Sequence, residues 1–373
     1  MKLFEVYPLY QVCPVKGKDV HVYDKTGTEY LDLYGGHAVI SVGHSHPHYI
    51  KRLQEQLQKL AFYSNAVENP LQQQLADEIG EQSSLNEYQL FLCNSGAEAN
   101  ENALKLASFQ TGKKRVVAFK NAFHGRTSAA VAATDNLNIN TPLNQQQQVT
   151  FIPFNDTQAL EEELQKGDVC AVIFEPIQGV GGLDIPHDDF VLTMEKLCHK
   201  YNTALIADEV QSGFSRSGTF FAFQNNNIKP HVITMAKGMG NGFPIGGILV
   251  HPDVKPKYGM LGTTFGGNHL ACSASLAVLE ILKKDELQQH AKEMEVYFRN
   301  KAEKIKGAKI KGRGLMLGLE FEFEVGPLRK RLIYEKHIFT GGSSNKNVLR
   351  ILPPLTVQRA HFDQLFDALE DLL

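Results

Sequence analysis

Lys237 follows the apolar run His231 to Met235 and precedes Gly238-Met239-Gly240-Asn241-Gly242. A lysine at the end of a buried strand is desolvated, which lowers its pKa and frees its amine to attack an aldehyde. On this segment alone, a strand-end lysine snorkelling to solvent is the commoner explanation. A nicotinamide fingerprint is a weaker one, because the glycines do not continue as G-x-G-x-x-G and lead into Phe243-Pro244 rather than a helix.

Asp208 ends another apolar run, Thr203 to Ala207. A lone aspartate there is more often a helix cap or an ion-pair member. Next to a reactive lysine it has a second use, since a carboxylate against the ring nitrogen keeps a pyridoxal ring protonated and able to draw electrons. Asn94-Ser95-Gly96-Ala97 joins the run Leu90 to Cys93 to a helical stretch. Free N–H groups and the helix dipole suit that turn to a phosphate, though alone it is an ordinary capped helix start. Phe123-His124-Gly125-Arg126-Thr127 offers an aromatic face and a guanidinium for a carboxylate. Thr263-Thr264-Phe265-Gly266-Gly267-Asn268 adds hydroxyls and unencumbered backbone that could close on a phosphate from a partner subunit.

These residues need elements to position them, and the pattern from about residue 88 to 250 supplies them. Short apolar runs alternate with amphipathic stretches such as Ala99, Ala103, Leu106 and Ala107, and Phe190, Val191, Met194, Leu197, Cys198 and Tyr201. That alternation predicts an α/β fold with a mostly parallel central sheet. Strands are expected at Leu90–Cys93, Val169–Phe174, Thr203–Ala207 and His231–Met235, with a hairpin-like return at Gly246–Val250. Ligands of such sheets bind outside the carboxyl ends of the strands, so Asn94, Glu175, Asp208 and Lys237 should share one crevice.

After about residue 259 two helical stretches, strands at Leu315–Phe323 and Val348–Leu352 and a closing helix predict a smaller α+β unit. The expected division is an N-terminal segment 1–47, a large domain 48–258 and a smaller domain 259–373. A strand-turn-strand at His21–Leu33, turning at Lys25-Thr26-Gly27, is expected to pack with the last of these. The tract Gln145–Gln148 reads as a solvated loop.

Composition narrows the function classes. With 43% hydrophobic and 21% charged residues over 373 positions, the chain can bury a large core. A formal net charge of −3 without like-charge runs gives no attraction to nucleic acid or anionic membrane. No apolar stretch is long enough to span a bilayer, and the start lacks a secretory core, so the expected compartment is the cytoplasm. The five scattered cysteines predict reduced packing residues rather than a disulfide framework or a zinc site. His44, His46 and His48 alternate in sequence, but Pro47 spoils a regular strand, so no metal is expected.

Taken in order and spacing, these blocks resemble the class III, fold-type-I pyridoxal-phosphate-dependent aminotransferases of the acetylornithine subgroup. The likeness runs through Tyr30-Leu31-Asp32, Gly43 to Pro47, Asn94 to Asn100, Phe123 to Thr127, Glu175 to Gly179, Asp208 to Gln211, Ala236 to Gly246, Thr263 to Asn268, Leu349-Arg350 and Pro353-Pro354-Leu355. The resemblance implies that Lys237 carries the cofactor covalently, Asp208 pairs with its ring nitrogen, Gln211 reaches its phenolic oxygen and Phe123 stacks on the ring. Ser95, Gly96 and Ala97, with Thr264 of the other subunit, would hold phosphate, and Glu175 would lie in the polar shell. Thr263 would lie beside the substrate, Arg126 would bind the carboxylate farthest from the reacting amine, and Arg350 would bind the α-carboxylate of glutamate or 2-oxoglutarate. It further implies a homodimer with the site at the interface.

The expected reaction moves the δ-amino group of an N-acylornithine to 2-oxoglutarate, with N-acetylornithine as donor, in arginine biosynthesis. N-succinylornithine, free ornithine and a general ω-amino acid are alternatives within the class. A nicotinamide-dependent dehydrogenase would explain the sheet but not Lys237, and a non-catalytic ligand-binding relative is the remaining alternative. One position departs from the pattern: where relatives carry a second glutamate, here Val180 stands in Glu175-Pro176-Ile177-Gln178-Gly179-Val180-Gly181. That acid is thought to mask the arginine matching Arg350, so here either water enters or an acid elsewhere in the fold must satisfy the guanidinium.

Overall fold

The computed structural model describes residues 1–373. Its centre is a seven-stranded sheet in the order Gln89–Cys93, Gly246–Val250, Val232–Met235, Ala204–Asp208, Val169–Phe174, Arg115–Phe119 and Val149–Ile152. Gly246–Val250 runs antiparallel to both its neighbours, and the remaining pairs are parallel. The return strand therefore inserts between Gln89–Cys93 and Val232–Met235 rather than closing a peripheral hairpin. Val169–Phe174 and Ala204–Asp208 are buried along their whole length. Helices on both faces require that, which is why these strands read as unbroken apolar runs.

The helix Gly96–Thr111 illustrates how local sequence sets the elements. Ser95 caps it, its Oγ accepting the Glu98 N–H at 3.2 Å, and Gly112 ends it at φ +68°. Ala99, Ala103 and Ala107 bury the face that meets the sheet, where larger side chains would hold the helix off.

The C-terminal unit contains an antiparallel sheet of Lys309–Arg313, Met316–Glu320 and Val348–Ile351, and the closing helix Arg359–Leu372 packs on the helices Leu287–Ala302 and Gly326–Lys336. The expected strand over Leu315–Phe323 is thus shorter and forms one arm of a hairpin. Its partner Lys309–Arg313 is a polar edge strand, LysIleLysGlyArg, and has no apolar alternation to reveal it. At the other end of the chain, His21–Asp24 and Glu29–Asp32 form the expected hairpin. Asp24 Oδ1 accepts from the N–H groups of Thr26 and Thr28, and Gly27 takes φ +88°. Glu29–Asp32 pairs in parallel with Ile338–Phe339, so the N-terminal hairpin and the C-terminal unit share one sheet.

Between them lies a left-handed turn, Gly35 (φ 54°), Gly36 (54°), His37 (68°) and Ala38 (60°). His37 and Ala38 each carry roughly 1–2 kcal/mol of backbone strain there. The turn is pinned by Asp32 Oδ1, which accepts from the N–H groups of Tyr34 and Gly35, and by Arg216 Nη2 donating to the Ile40 carbonyl.

Cys93, Cys170, Cys198 and Cys272 are buried, whereas Cys13 lies on the surface and packs nothing; all five are unpaired. His44, His46 and His48 face three different carboxylates, those of Asp32, Asp285 and Glu280. Gln145–Gln148 are exposed, and no helix is long and apolar enough to cross a membrane.

Candidate active site

Asn94, Glu175, Asp208 and Lys237 line one cavity of about 350 Å³ at the carboxyl ends of the central strands. Ser95, Gly96, Ala97, Phe123, Arg126 and Gln211 line it too. Lys237 closes the strand Val232–Met235 at φ 47°, a left-handed conformation that a side chain adopts only under strain. Burial lowers its pKa, against the opposing pull of Asp208 and Glu175, while Arg350 lowers it further. The net shift favours the unprotonated, nucleophilic form of the amine.

Asp208 is 5% exposed, and a network fixes its carboxylate. Oδ2 accepts from Asn100 Nδ2 at 2.8 Å and is 2.7 Å from His124 Nδ1, and Oδ1 accepts from the Val210 N–H at 3.0 Å. Asn100 is held in turn, its Oδ1 accepting from Thr234 Oγ1 at 2.7 Å. Sequence reasoning assigns no role to Asn100 or His124. The one available signal is Asn100 as a single amide on the otherwise apolar face of the helix Gly96–Thr111, which a buried polar group occupies only with a partner. The Asn100→Ala variant should therefore loosen Asp208 and weaken cofactor binding by roughly 10- to 100-fold, the loss of one hydrogen bond to a buried charge. Equilibrium titration with pyridoxal phosphate checks this.

Glu175 is equally enclosed: Oε1 accepts from the Phe123 N–H and Oε2 from the Gly179 N–H, both at 2.8 Å. Burial nevertheless pushes its pKa up, with the Asp208 charge adding to the effect. Its geometric role is to tie the Phe123 turn to the loop that carries Val180. Opposite, Gly125 packs on the helix start, where a Cβ would meet Ala97 Cβ at 2.8 Å, and a Cβ at Gly96 would meet Val210 Cγ1 at 2.6 Å. The first-turn N–H groups of Gly96 and Ala97 have no intrahelical acceptor and form an anion cradle.

Arg126 sits exposed at the cavity rim with no carboxylate partner. Arg350 is 3% exposed, and its Nη1 donates to the carbonyl of Gly179 at 2.8 Å and, more weakly, to Gln211 Oε1 at 3.4 Å. Its Nε donates to the Gly342 carbonyl at 2.6 Å. Neutral acceptors thus engage Nε and Nη1 of the guanidinium that Val180 cannot meet, and no carboxylate takes the place of the missing acid. Gln211 is accordingly engaged away from the cavity centre, with Nε2 donating to the His37 carbonyl at 3.2 Å. Thr263 stands behind Asn94, whose Nδ2 donates to its Oγ1 at 3.3 Å. Thr264 is exposed and does not line the cavity of its own chain.

These residues fit pyridoxal phosphate on observed features: an unpartnered lysine, an oriented buried carboxylate, a helix N-terminus for phosphate and a flanking phenylalanine around a cavity of ligand size. Comparison with known proteins agrees. The family model for class-III aminotransferases matches residues 5–373. An acetylornithine aminotransferase of Aquifex aeolicus is 38% identical over 369 residues, covering 96% of each chain. A crystal structure of the ornithine aminotransferase of Toxoplasma gondii, with pyridoxal phosphate at partial occupancy in its active site, superposes with a TM-score of 0.89. It is 29% identical and covers 98% of this chain and 91% of its own. The acetylornithine aminotransferase of Elizabethkingia anophelis gives 0.84 at 29% identity, with 98% and 94% covered.

Proposed function

The chain belongs to the class-III aminotransferase family, and on that premise we propose that it transfers the δ-amino group of N-acetylornithine to 2-oxoglutarate, using pyridoxal phosphate. The observation that carries this reading is the single cavity in which Lys237 and Asp208 meet, with Arg126 at its rim and Arg350 against its wall. The identity of nearly full-length relatives supports N-acetylornithine over N-succinylornithine or free ornithine as the donor.

When bound, pyridoxal phosphate supplies an electron sink that acidifies the substrate carbon bearing nitrogen. Asp208, held by Asn100 and His124, would hold the ring nitrogen, and Gly96 and Ala97 would hold the phosphate. Phe123 would flank the ring. Lys237 Nζ would take the proton from the nitrogen-bearing substrate carbon and deliver it on the cofactor side of that nitrogen, a task for which its lowered pKa suits it. Arg126 binds the carboxylate remote from the reacting centre in both substrates. Arg350 binds the second carboxylate that only glutamate and 2-oxoglutarate carry there. Both half-reactions share one site, so the kinetics are ping-pong.

We further infer a cytoplasmic homodimer. The unpaired cysteines suit a reducing compartment. Exposed Phe62, Tyr63 and Phe265 cluster beside Thr263 and Thr264, and Phe62 and Phe265 pack ring to ring at 5.5 Å. A second copy covering this patch would bring Thr264 to the partner's phosphate cradle.

The test is Arg126→Ala. Single-turnover rates should fall in both the acetylornithine and the 2-oxoglutarate half-reactions, each by about 2 kcal/mol or more, the loss of a charge-assisted contact. Damage confined to one half would mean that Arg126 does not bind the remote carboxylate of both substrates.

A further inference from the structure

Arg350 is not the only arginine at its end of the cavity. Arg329, on the helix Gly326–Lys336, reaches the same turn: its Nη2 donates to the Thr340 carbonyl at 3.0 Å, and its Nη1 lies 2.5 Å from where a Cβ on Gly342 would be. Gly342 is the residue whose carbonyl accepts from Arg350 Nε. Two guanidiniums therefore flank the turn Thr340–Gly342, and neither has a carboxylate within ion-pair distance. Arg329 Nε and Thr340 Oγ1 are both buried without a partner.

The surroundings do not neutralise this charge by direct pairing. Burial and the charge of Arg329 both hold the Arg350 guanidinium below its usual pKa, and Glu175 is the carboxylate that offsets this. His37, on the strained turn, is pushed down to about 4, first by burial and then by Arg350, Lys237 and Arg329, so it adds no charge at neutral pH. Tyr34 hydrogen-bonds His37 and packs against Gly341, where a Cβ would meet its ring at 2.9 Å. Arg350 is buried and Arg329 half-buried, and two like charges held close together beside a strained backbone are costly unless an anion completes them.

We propose that Arg329 is a positioning residue for the amino acceptor: its charge adds to that of Arg350 across the Thr340–Gly342 turn, favouring a ligand with a carboxylate on its reacting carbon. This rests on the reading of Arg350 as the site of that carboxylate. N-Acetylornithine carries no carboxylate on its δ-carbon, so Arg329 acts on one half-reaction. The turn transmits position as well as charge, since Arg329 holds Thr340 and Arg350 holds Gly342.

The experiment compares Arg329→Gln and Arg329→Lys with the wild-type holoenzyme. Calorimetry with 2-oxoglutarate and steady-state kinetics with both substrates are the two readouts. Arg329→Gln should weaken 2-oxoglutarate binding and raise its KM by about ten-fold, leaving kcat and the acetylornithine KM within about two-fold. Arg329→Lys keeps the charge and should recover most of the loss. Unchanged 2-oxoglutarate binding in Arg329→Gln overturns the proposal, as does equal damage to both substrates or failure of lysine to rescue, since either would make Arg329 a mere support for the turn. Arg350→Ala separates the two readings. Equal loss in both half-reactions there would sink the assignment of Arg350 itself, whereas acceptor-selective loss there with no effect at Arg329 would sink only the role of Arg329.

Discussion

Replacing Lys237 by alanine is expected to abolish amino transfer, with a loss on the order of 10⁴-fold or more in the overall rate. Removing a positioned general base alone accounts for about 10²–10⁴-fold, and Lys237 would also be the covalent anchor of the cofactor. No neighbour can replace it: the guanidinium groups of Arg350 and Arg126 are donors with no amine lone pair to offer, and Glu175 has both carboxylate oxygens engaged by backbone N–H groups. The wild-type protein should be yellow when loaded, and borohydride should fix the cofactor to the peptide containing Lys237. Label on another lysine would contradict the assignment, because only the strand end at Lys237 brings an amine beside Asp208.

The second large effect is expected from Arg350→Ala. A buried guanidinium paired with a substrate carboxylate is worth roughly 2–5 kcal/mol when one partner is truncated, so the 2-oxoglutarate half-reaction should slow by some 30- to 5000-fold. The acetylornithine half should change far less. Val180→Glu probes the same guanidinium from the other side. In this chain Gly179, Gly342 and Gln211 cap Arg350 with neutral oxygens. An acceptor carboxylate thus binds without breaking an ion pair. A glutamate at position 180 would add one, raising the KM for 2-oxoglutarate and favouring the acetylornithine half. Should single-turnover rates of both halves stay unchanged, Arg350 does not face position 180 in the working enzyme.

Much of the site was legible because strand ends announce themselves. Apolar runs that stop at Asp208 and Ala236-Lys237 mark buried strands whose carboxyl ends must share a crevice, and the cavity contains those residues. The Ser95 cap and small-residue helix face were readable for the same reason, being local. What sequence could not show were interactions between distant segments. The Asn100–Asp208 bond spans 108 positions, and the Arg350–Gly179 bond spans 171. The absence of an acid at Val180 posed a physical question, whether water or another acid satisfies Arg350. The structure answers with backbone carbonyls and an amide, which no residue type at position 180 could have indicated. Arg329 was invisible for a related reason: on its helix it reads as one more solvated charge in ArgLysArg, and only the fold brings it against Gly342.

The most direct test of the proposed function is a comparison of donors on the purified, pyridoxal-phosphate-loaded protein. N-Acetylornithine, N-succinylornithine and free ornithine are each mixed with it, and the loss of cofactor absorbance is followed in a single turnover, then glutamate formation on adding 2-oxoglutarate. N-Acetylornithine should give the highest kcat/KM, with glutamate formed in proportion. A preference for free ornithine, or cofactor uptake without amino transfer from any of the three, would contradict N-acetylornithine as the donor.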